Sequence, residues 1–235
     1  MMNRKIALVT GANRGIGLET VRQLASNGIH TILTARNEAK GRETVASLKE
    51  EGLLVDFQRL DVTNEQQAKA VAAAIEKTYG GLDILINNAG VYLDESESID
   101  EVTPKTFEDT LHVNLFGPFY LIQALLPMMK KNNYGRIVNI SSGYGSNAAL
   151  RSAQVGSYKL SKNALNGMTQ LFADAVKDLN IKINAADPGW VHTEMGGKAA
   201  PRSPEQAAEG ILKLALLKDD GPSGRFFFDG EPKEW

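Results

Sequence analysis

The chain contains no cysteine. Disulfides, thiolate metal sites and cysteine nucleophiles are therefore excluded by composition, and no metal is expected. Histidine is scarce as well: His30, His112 and His192 are the whole supply. Excess charge of either sign is also missing. Twenty-six Lys and Arg face 28 Asp and Glu, a net charge of −2 with a pI near 6.0, which argues against nucleic acid or an anionic membrane as partner. No run approaches the roughly 18 apolar residues of a membrane span. The start, Met1 to Ile6, passes directly into a short apolar strand without a cleavable signal, so a cytoplasmic location is expected. There is no internal repeat, low-complexity tract or linker-like shift in composition.

What remains is ordinary globular material: 235 residues, 43% hydrophobic and 23% charged, enough for one substantial core. Short apolar runs alternate with segments of helical period, the pattern of βα units around a parallel sheet. Strands are expected at Ile6–Val9, His30–Thr34, Val55–Leu60, Ile84–Asn87, Ile137–Ile140, Lys182–Ala186 and Arg225–Phe228. Helices are expected near Ile16–Ser26, Ala39–Glu50, Glu65–Thr78, Lys105–Met129, Tyr158–Leu179 and Pro204–Leu217. Asn64 and Ser203 stand where caps belong, and Gly80-Gly81 where a helix should break. The expected architecture is α/β, one domain over residues 1–235, a doubly wound parallel sheet with helices on both faces. Loops at Val91–Thr103, Gly143–Gly156 and Gly189–Pro201 follow successive strands and should surround one crevice at the strands' carboxyl ends.

Thr10-Gly11-Ala12-Asn13-Arg14-Gly15-Ile16-Gly17 follows the first strand and opens the first helix. Glycines there permit a tight turn and let the backbone approach a pyrophosphate at the helix N-terminus. Tight βα turns use glycine in any case, so position gives the signal its weight. A carboxylate at the tip of the second strand would grip the ribose 2′-hydroxyl of NAD. Here the strand ends Thr34-Ala35-Arg36, and Arg36 with Arg14 favours the 2′-phosphate of NADP(H) over NAD(H). Each arginine alone reads as a solvated surface residue, and Glu38 is the dissenting neighbour.

Tyr158 and Lys162 stand four positions apart, on one face of a helix. Carbonyl reduction by hydride transfer needs a proton donor. A free phenol has a pKa of about 10, which a neighbouring ammonium should lower. Tyr-x-x-x-Lys occurs in many helices by chance, so its company decides. Ser141 and Ser142 end a strand before the loop that leads to Tyr158, where a hydroxyl can orient a substrate oxygen. Asn114 lies in an apolar helical run and needs partners. A helix-interior hydrogen bond and a water-mediated relay to Lys162 are equally open readings of it.

Taken together, these residues resemble the short-chain dehydrogenases/reductases over essentially the whole chain. The match consists of Thr10-Gly11-x-x-x-Gly15-Ile16-Gly17, Asp61-Val62, Asn87-Asn88-Ala89-Gly90, Asn114, Ser142, Tyr158-x-x-x-Lys162 and Pro188-Gly189. The resemblance implies a seven-stranded Rossmann sheet and a catalytic set of Asn114, Ser142, Tyr158 and Lys162. By it, Gly11, Asn13, Arg14, Gly15, Ile16, Gly17 and Arg36 meet the cofactor's phosphates. Asp61 and Val62 meet the adenine; Asn88, Ala89 and Gly90 support the cofactor; Pro188, Gly189, Val191 and Thr193 line the nicotinamide, with Tyr158 and Lys162 beside it. The glycine turn, Thr34-Ala35-Arg36 and Pro188-Gly189-Trp190-Val191-His192-Thr193-Glu194-Met195 look like the carbonyl-reductase members. Those relatives often carry an insertion before the tyrosine, whereas Ser142 and Tyr158 here are separated by 16 positions. Ser142 is chosen over Ser141 by alignment with the family's strand end.

The expected activity is reversible, NADP(H)-dependent interconversion of a carbonyl and an alcohol. Val91, Tyr92, Tyr144, Gln154, Trp190 and Met195 are the candidate substrate lining, suited to small or medium hydrophobic carbonyls; simple loop packing is the competing reading of its aromatics. A dehydratase or epimerase on the same fold would need further acid–base groups than three histidines provide. A non-catalytic NADP(H) sensor usually lacks a catalytic position, and all four are filled. Apolar residues on the helices around Asn114 and Tyr158, among them Leu165, Met168, Leu171 and Phe172, lead to the expectation of a homodimer or homotetramer.

Overall fold

The computed structural model describes residues 4–235; Met1–Asn3, part of the reading of the chain's start, lie outside them. Apolar residues in consecutive positions make strands that are covered on both faces. β1 (Ile6–Val9) is wholly buried, and its side chains alternate. Ile6 and Leu8 enter one apolar cluster, Ala7 and Val9 the other. β2 (His30–Ala35), β3 (Val55–Arg59), β4 (Ile84–Asn87), β5 (Gly135–Ile140), β6 (Ile181–Asp187) and β7 (Phe226–Phe228) continue a parallel sheet. Its order is β3-β2-β1-β4-β5-β6-β7, with one more strand beyond β7. The order reverses between β1 and β4, the switch point at which open α/β sheets place ligands.

Among the described residues the expected seven strands become eight. β8 (Glu231–Lys233) pairs antiparallel with β7. Its three residues, Glu-Pro-Lys, lie in an exposed strand with no apolar run, so periodicity could not announce it. Asp229-Gly230, both at positive φ, make the reversal.

Helices α1 (Gly15–Ser26), α2 (Glu38–Glu50) and α7 (Pro204–Ala215) cover one face; α3 (Glu65–Tyr79), α5 (Gly117–Asn132) and α6 (Gly156–Asp174) cover the other. The expected caps form: Asn64 accepts from the Gln67 amide, and Ser203 with Gln206 makes a reciprocal capping box. Gly80 ends α3 in the left-handed region, which costs glycine little.

The expected single helix Lys105–Met129 is instead α4 (Pro104–Leu111), a π turn at His112–Phe116, and α5. Pro118 has no N–H to offer the Asn114 carbonyl four residues back, so an α ladder cannot run through this point. The continuous span Pro104–Asn132 is long and apolar enough to cross a membrane by composition. Leu121, Ile122, Leu125 and Met129 are nevertheless fully buried within the protein core. The expected Tyr158–Leu179 helix starts two residues earlier, at Gly156, and gives way to turns after Asp174.

Candidate active site

A cleft of about 570 Å³ opens along the carboxyl ends of the strands. It runs from Arg36 and Asp61, across the glycine turn, to Tyr158 and Lys162. Its first wall is made of backbone. Gly11 and Gly15 sit at φ +60° and +57°. A Cβ on Gly11 would press on Ala89, and one on Gly17 would strike the Asn88 amide. The reason lies in Thr10 and Asn88. The Thr10 hydroxyl accepts from the Asn88 and Ala89 amides at 2.9 Å, while the Asn88 side chain donates to the Thr10 and Gly11 carbonyls. Asn88 and Ala89 thus brace the glycine turn, with Gly90 following. Thr10 is a member of this brace that the sequence reading did not single out, although its hydroxyl next to the first glycine was the available signal.

α1 begins without a side-chain cap and has no acid in its first turn. Its N-terminal amides and the positive end of its dipole therefore favour an anion, and the residues fit a dinucleotide phosphate. Asn13 and Ile16 line the cleft beside the turn. Of the two arginines, Arg14 is ion-paired to Glu194 across the cleft. Arg36 is exposed and makes no ion pair among the described residues. Asp61 turns its carboxylate back to Thr63, and buried Val62 packs so closely on Gly117 that a Cβ there would come within 3.0 Å.

The second wall is made of side chains. Tyr158, on the first turn of α6, meets the Ser142 hydroxyl. Tyr92 and Tyr144 flank its ring, with centroids at 4.9 and 6.2 Å. Lys162 is 4% exposed, donates to the Ile140 carbonyl at 2.7 Å and lies 5.7 Å from the centre of the Tyr158 ring. Burial pushes the Tyr158 phenol up to about 12. The Ser142 hydrogen bond opposes this, and Asp187, Tyr92 and Tyr144 reinforce it. Burial also brings Lys162 down to about 8. The expected net lowering of the tyrosine is therefore not found: burial outweighs the lysine, whose ammonium is itself desolvated and directed at a carbonyl.

The two serine hydroxyls have different partners. Ser141 borders the cleft but is buried, its hydroxyl donating to Asn166 at 2.6 Å, whereas Ser142 meets Tyr158 and accepts from the Tyr144 amide. Asn114 is fully buried on the π turn. It clamps both backbone groups of Val91, at 2.8 and 2.9 Å, and donates to Ser161. Its Oδ1 and the Lys162 ammonium both crowd the same side of Gly90.

Pro188, Thr193 and Met195 line the cleft, as does Val91. Gly189, at φ +75°, lies so close to Arg202 that a Cβ would collide, and Val191 is buried in a bridge to Arg202. Two expected substrate residues are exposed and absent from the cleft lining. Gln154 is exposed and bridges Ser98, while Trp190 is 57% exposed with its indole N–H given to the Gly196 carbonyl.

Asp94 was not among the expected site residues. Its carboxylate is fully buried, accepts from the Ser157 and Tyr158 amides, and leaves Oδ1 without a partner. α6 needs this distant cap because its own N-cap is Val155, a β-branched residue held at φ +52° that offers no side-chain hydrogen bond. The missing local cap before Gly156 was the only signal.

An open sheet whose first βα turn presents free helix amides, at the point where strand order reverses, defines a dinucleotide-binding protein. The short chain dehydrogenase family pattern matches residues 5–203, and the chain belongs to that family. Pig carbonyl reductase [NADPH] 1 is 34% identical over 280 residues, covering 99% of this chain and 95% of that protein. The (+)-neomenthol dehydrogenase of Arabidopsis thaliana is 33% identical, with 95% of each covered. Both alignments are longer than the chain itself, so these relatives hold residues with no counterpart here. Among solved structures, NADPH-bound carbonyl reductase from chicken fatty liver superimposes with a TM-score of 0.87, at 32% identity and full coverage of both chains. The carbonyl reductase Sniffer of D. melanogaster gives 0.89 at 30% identity, again with full coverage.

Proposed function

We propose that the chain is an NADP(H)-dependent reductase of small or medium hydrophobic carbonyls, folded as one domain, with Tyr158 as its acid. The observation that carries this reading is that Tyr158 lines the dinucleotide cleft beside Lys162. Its hydroxyl meets Ser142, and two further tyrosines flank its ring. The carbonyl-reductase relatives, one of them solved with NADPH, support the same class.

The residues divide the work. Arg36 binds the 2′-phosphate, and Arg14 joins it by exchanging Glu194 for the phosphate. The α1 amides hold the pyrophosphate, and Pro188 and Thr193 line the nicotinamide side. When bound, the cofactor supplies the hydride. Ser142 orients the carbonyl oxygen, and Tyr158 gives that oxygen its proton. Lys162, charged below about pH 8, stabilises the phenolate left behind and reaches the ribose. Asn114 fixes the Val91 backbone, and the spare lone pair of its Oδ1 holds a water that passes protons towards Lys162. Tyr92 and Tyr144 exclude solvent and favour an apolar carbonyl substituent.

The test is nicotinamide absorbance with a panel of ketones and aldehydes, using the parent chain and Tyr158→Phe. Turnover with the parent and its near loss in the variant, with NADPH binding retained, is expected; a variant of normal rate would assign the proton to another group. A dimer or larger assembly is also proposed, on narrower ground than the sequence offered. Leu165 is buried in the core and Met168 and Phe172 pack partly against it, leaving Leu171, 75% exposed, as the open apolar residue of that set. A monomer mass by sedimentation would remove this part.

A further inference from the structure

The eighth strand reaches the carbonyl side of the site. Lys233, on β8, donates to the Asp187 carboxylate at 2.6 Å. Asp187 ends β6, is 7% exposed, and accepts from the Gly189 amide with its other oxygen. Both partners lie against the strand end that carries Ser142: a Cβ on Gly143 would stand 3.2 Å from the Asp187 carboxylate and 3.3 Å from the Lys233 ammonium. The ammonium also rests near the faces of Phe226 and Phe228. Trp235 stacks on Phe226 and accepts from the Asn147 amide, which docks the tail on the loop between Ser142 and Tyr158.

Nothing in the proposed mechanism uses this pair, yet a buried carboxylate beside a phenol that must ionise is an expensive neighbour. We propose that Lys233 is a positioning residue of the carbonyl site, which pins and neutralises Asp187 so that the C-terminal strand sets the charge around Tyr158. The proposal rests on Tyr158 being the acid. The groups facing Asp187 are Lys233 from β8 and the Gly189 amide, with Arg202 at longer range; Arg202 is itself paired to Asp229. Those facing Tyr158 are Ser142, Tyr144, Tyr92, Asp187 and Lys162. Lys233 is thus the cation in direct contact with Asp187.

The experiment is the pH dependence of alcohol oxidation, which needs the phenolate, in the full chain. Lys233→Met should move the Tyr158-dependent limb upward by roughly one pH unit. Asp187→Asn should move it downward, the double variant should return close to the parent, and Lys233→Arg should keep the parent profile. A purely structural ion pair would lower the melting temperature and leave the limb in place, and that result overturns the proposal. Trp235 fluorescence reports whether the tail stays docked. If Lys233→Met releases it, Asp187→Asn alone decides, because an unmoved limb there also overturns the proposal. A limb that survives in Tyr158→Phe overturns the mechanistic reading instead, a distinct outcome.

Discussion

The two walls of the cleft are built by different means. On the β1–β4 side the proposed phosphate cradle is backbone: two glycines at positive φ, a helix start left uncapped, and a brace from Thr10 to Asn88 and Ala89. On the β5–β8 side the site is a set of side chains delivered from distant parts of the chain. Ser142 comes from the end of β5, Tyr158 and Lys162 from α6, Tyr92 from the loop after β4, and Lys233 from a strand at the sheet edge. Backbone cradles tolerate change around them as long as glycine stays. Side-chain sites depend on every group that aims and charges them.

That contrast can be broken from either side. The largest effect is expected for Tyr158→Phe: a loss of about 10²–10⁴ in turnover with NADPH affinity, followed by fluorescence titration, unchanged. If affinity fell equally, the walls would not be independent. Arg36→Ala should act in the opposite sense. Affinity for NADPH should fall by roughly 10- to 100-fold, as loss of a charged hydrogen bond implies, with NADH and the chemical step little affected. Glu194→Gln should tighten NADPH modestly by freeing Arg14.

The pH dependence sharpens the chemistry of the second wall. Burial lowers the lysine, so Lys162 loses its charge at about pH 8. Carbonyl reduction, which uses the cation, should be full below that value and decline above it, and Lys162→Met should remove this limb along with most of the rate. Asp94→Ala should cost about 1–2 kcal/mol of stability by uncapping α6, read as a lower melting temperature, together with a fall in kcat because the Tyr158 backbone is released. Asp94→Asn, which still accepts from one amide, should recover part of both.

The smallest effect lies far from either wall. Asp56 accepts from Tyr79 and His30 at 2.8 and 2.7 Å. Burial raises its carboxyl, but these bonds and Lys49 outweigh it and hold the group below its ordinary value. Its contribution is therefore present above that ordinary value and lost as pH falls through the folded one. Asp56→Asn should flatten the acid limb of the stability curve by a few tenths of a kcal/mol without touching turnover.

Local chemistry decided which parts were legible. Strands β1 to β7, five of the helices and the glycine turn could be read directly, because apolar runs, caps and positive-φ glycines act over a few residues. Tyr158 and Lys162 were legible because four positions on a helix share a face. The π turn was not, since Asn114 looks like an ordinary helical residue until Pro118 denies its carbonyl a partner. Asp94 was not, because a cap 62 positions before Gly156 leaves no mark at the helix it serves. Gln154 and Trp190 fit a lining by residue type, but both are exposed, and the Trp190 indole is given to a backbone carbonyl.

By itself, then, the amino-acid order determined the class of the fold, the glycine turn at the switch point and the pairing of Tyr158 with Lys162 on one helix face, all of which follow from short-range periodicity, glycine conformation and helix geometry. The tertiary structure decided what surrounds that pair. It buried both groups, raising the tyrosine and lowering the lysine. It engaged the Ser141 hydroxyl with Asn166 and left Ser142 beside Tyr158, capped α6 from a remote loop, and brought Lys233 to Asp187 through a strand too short and too polar to foresee. Those outcomes depend on desolvation and long-range charge, which exist only once the chain has closed.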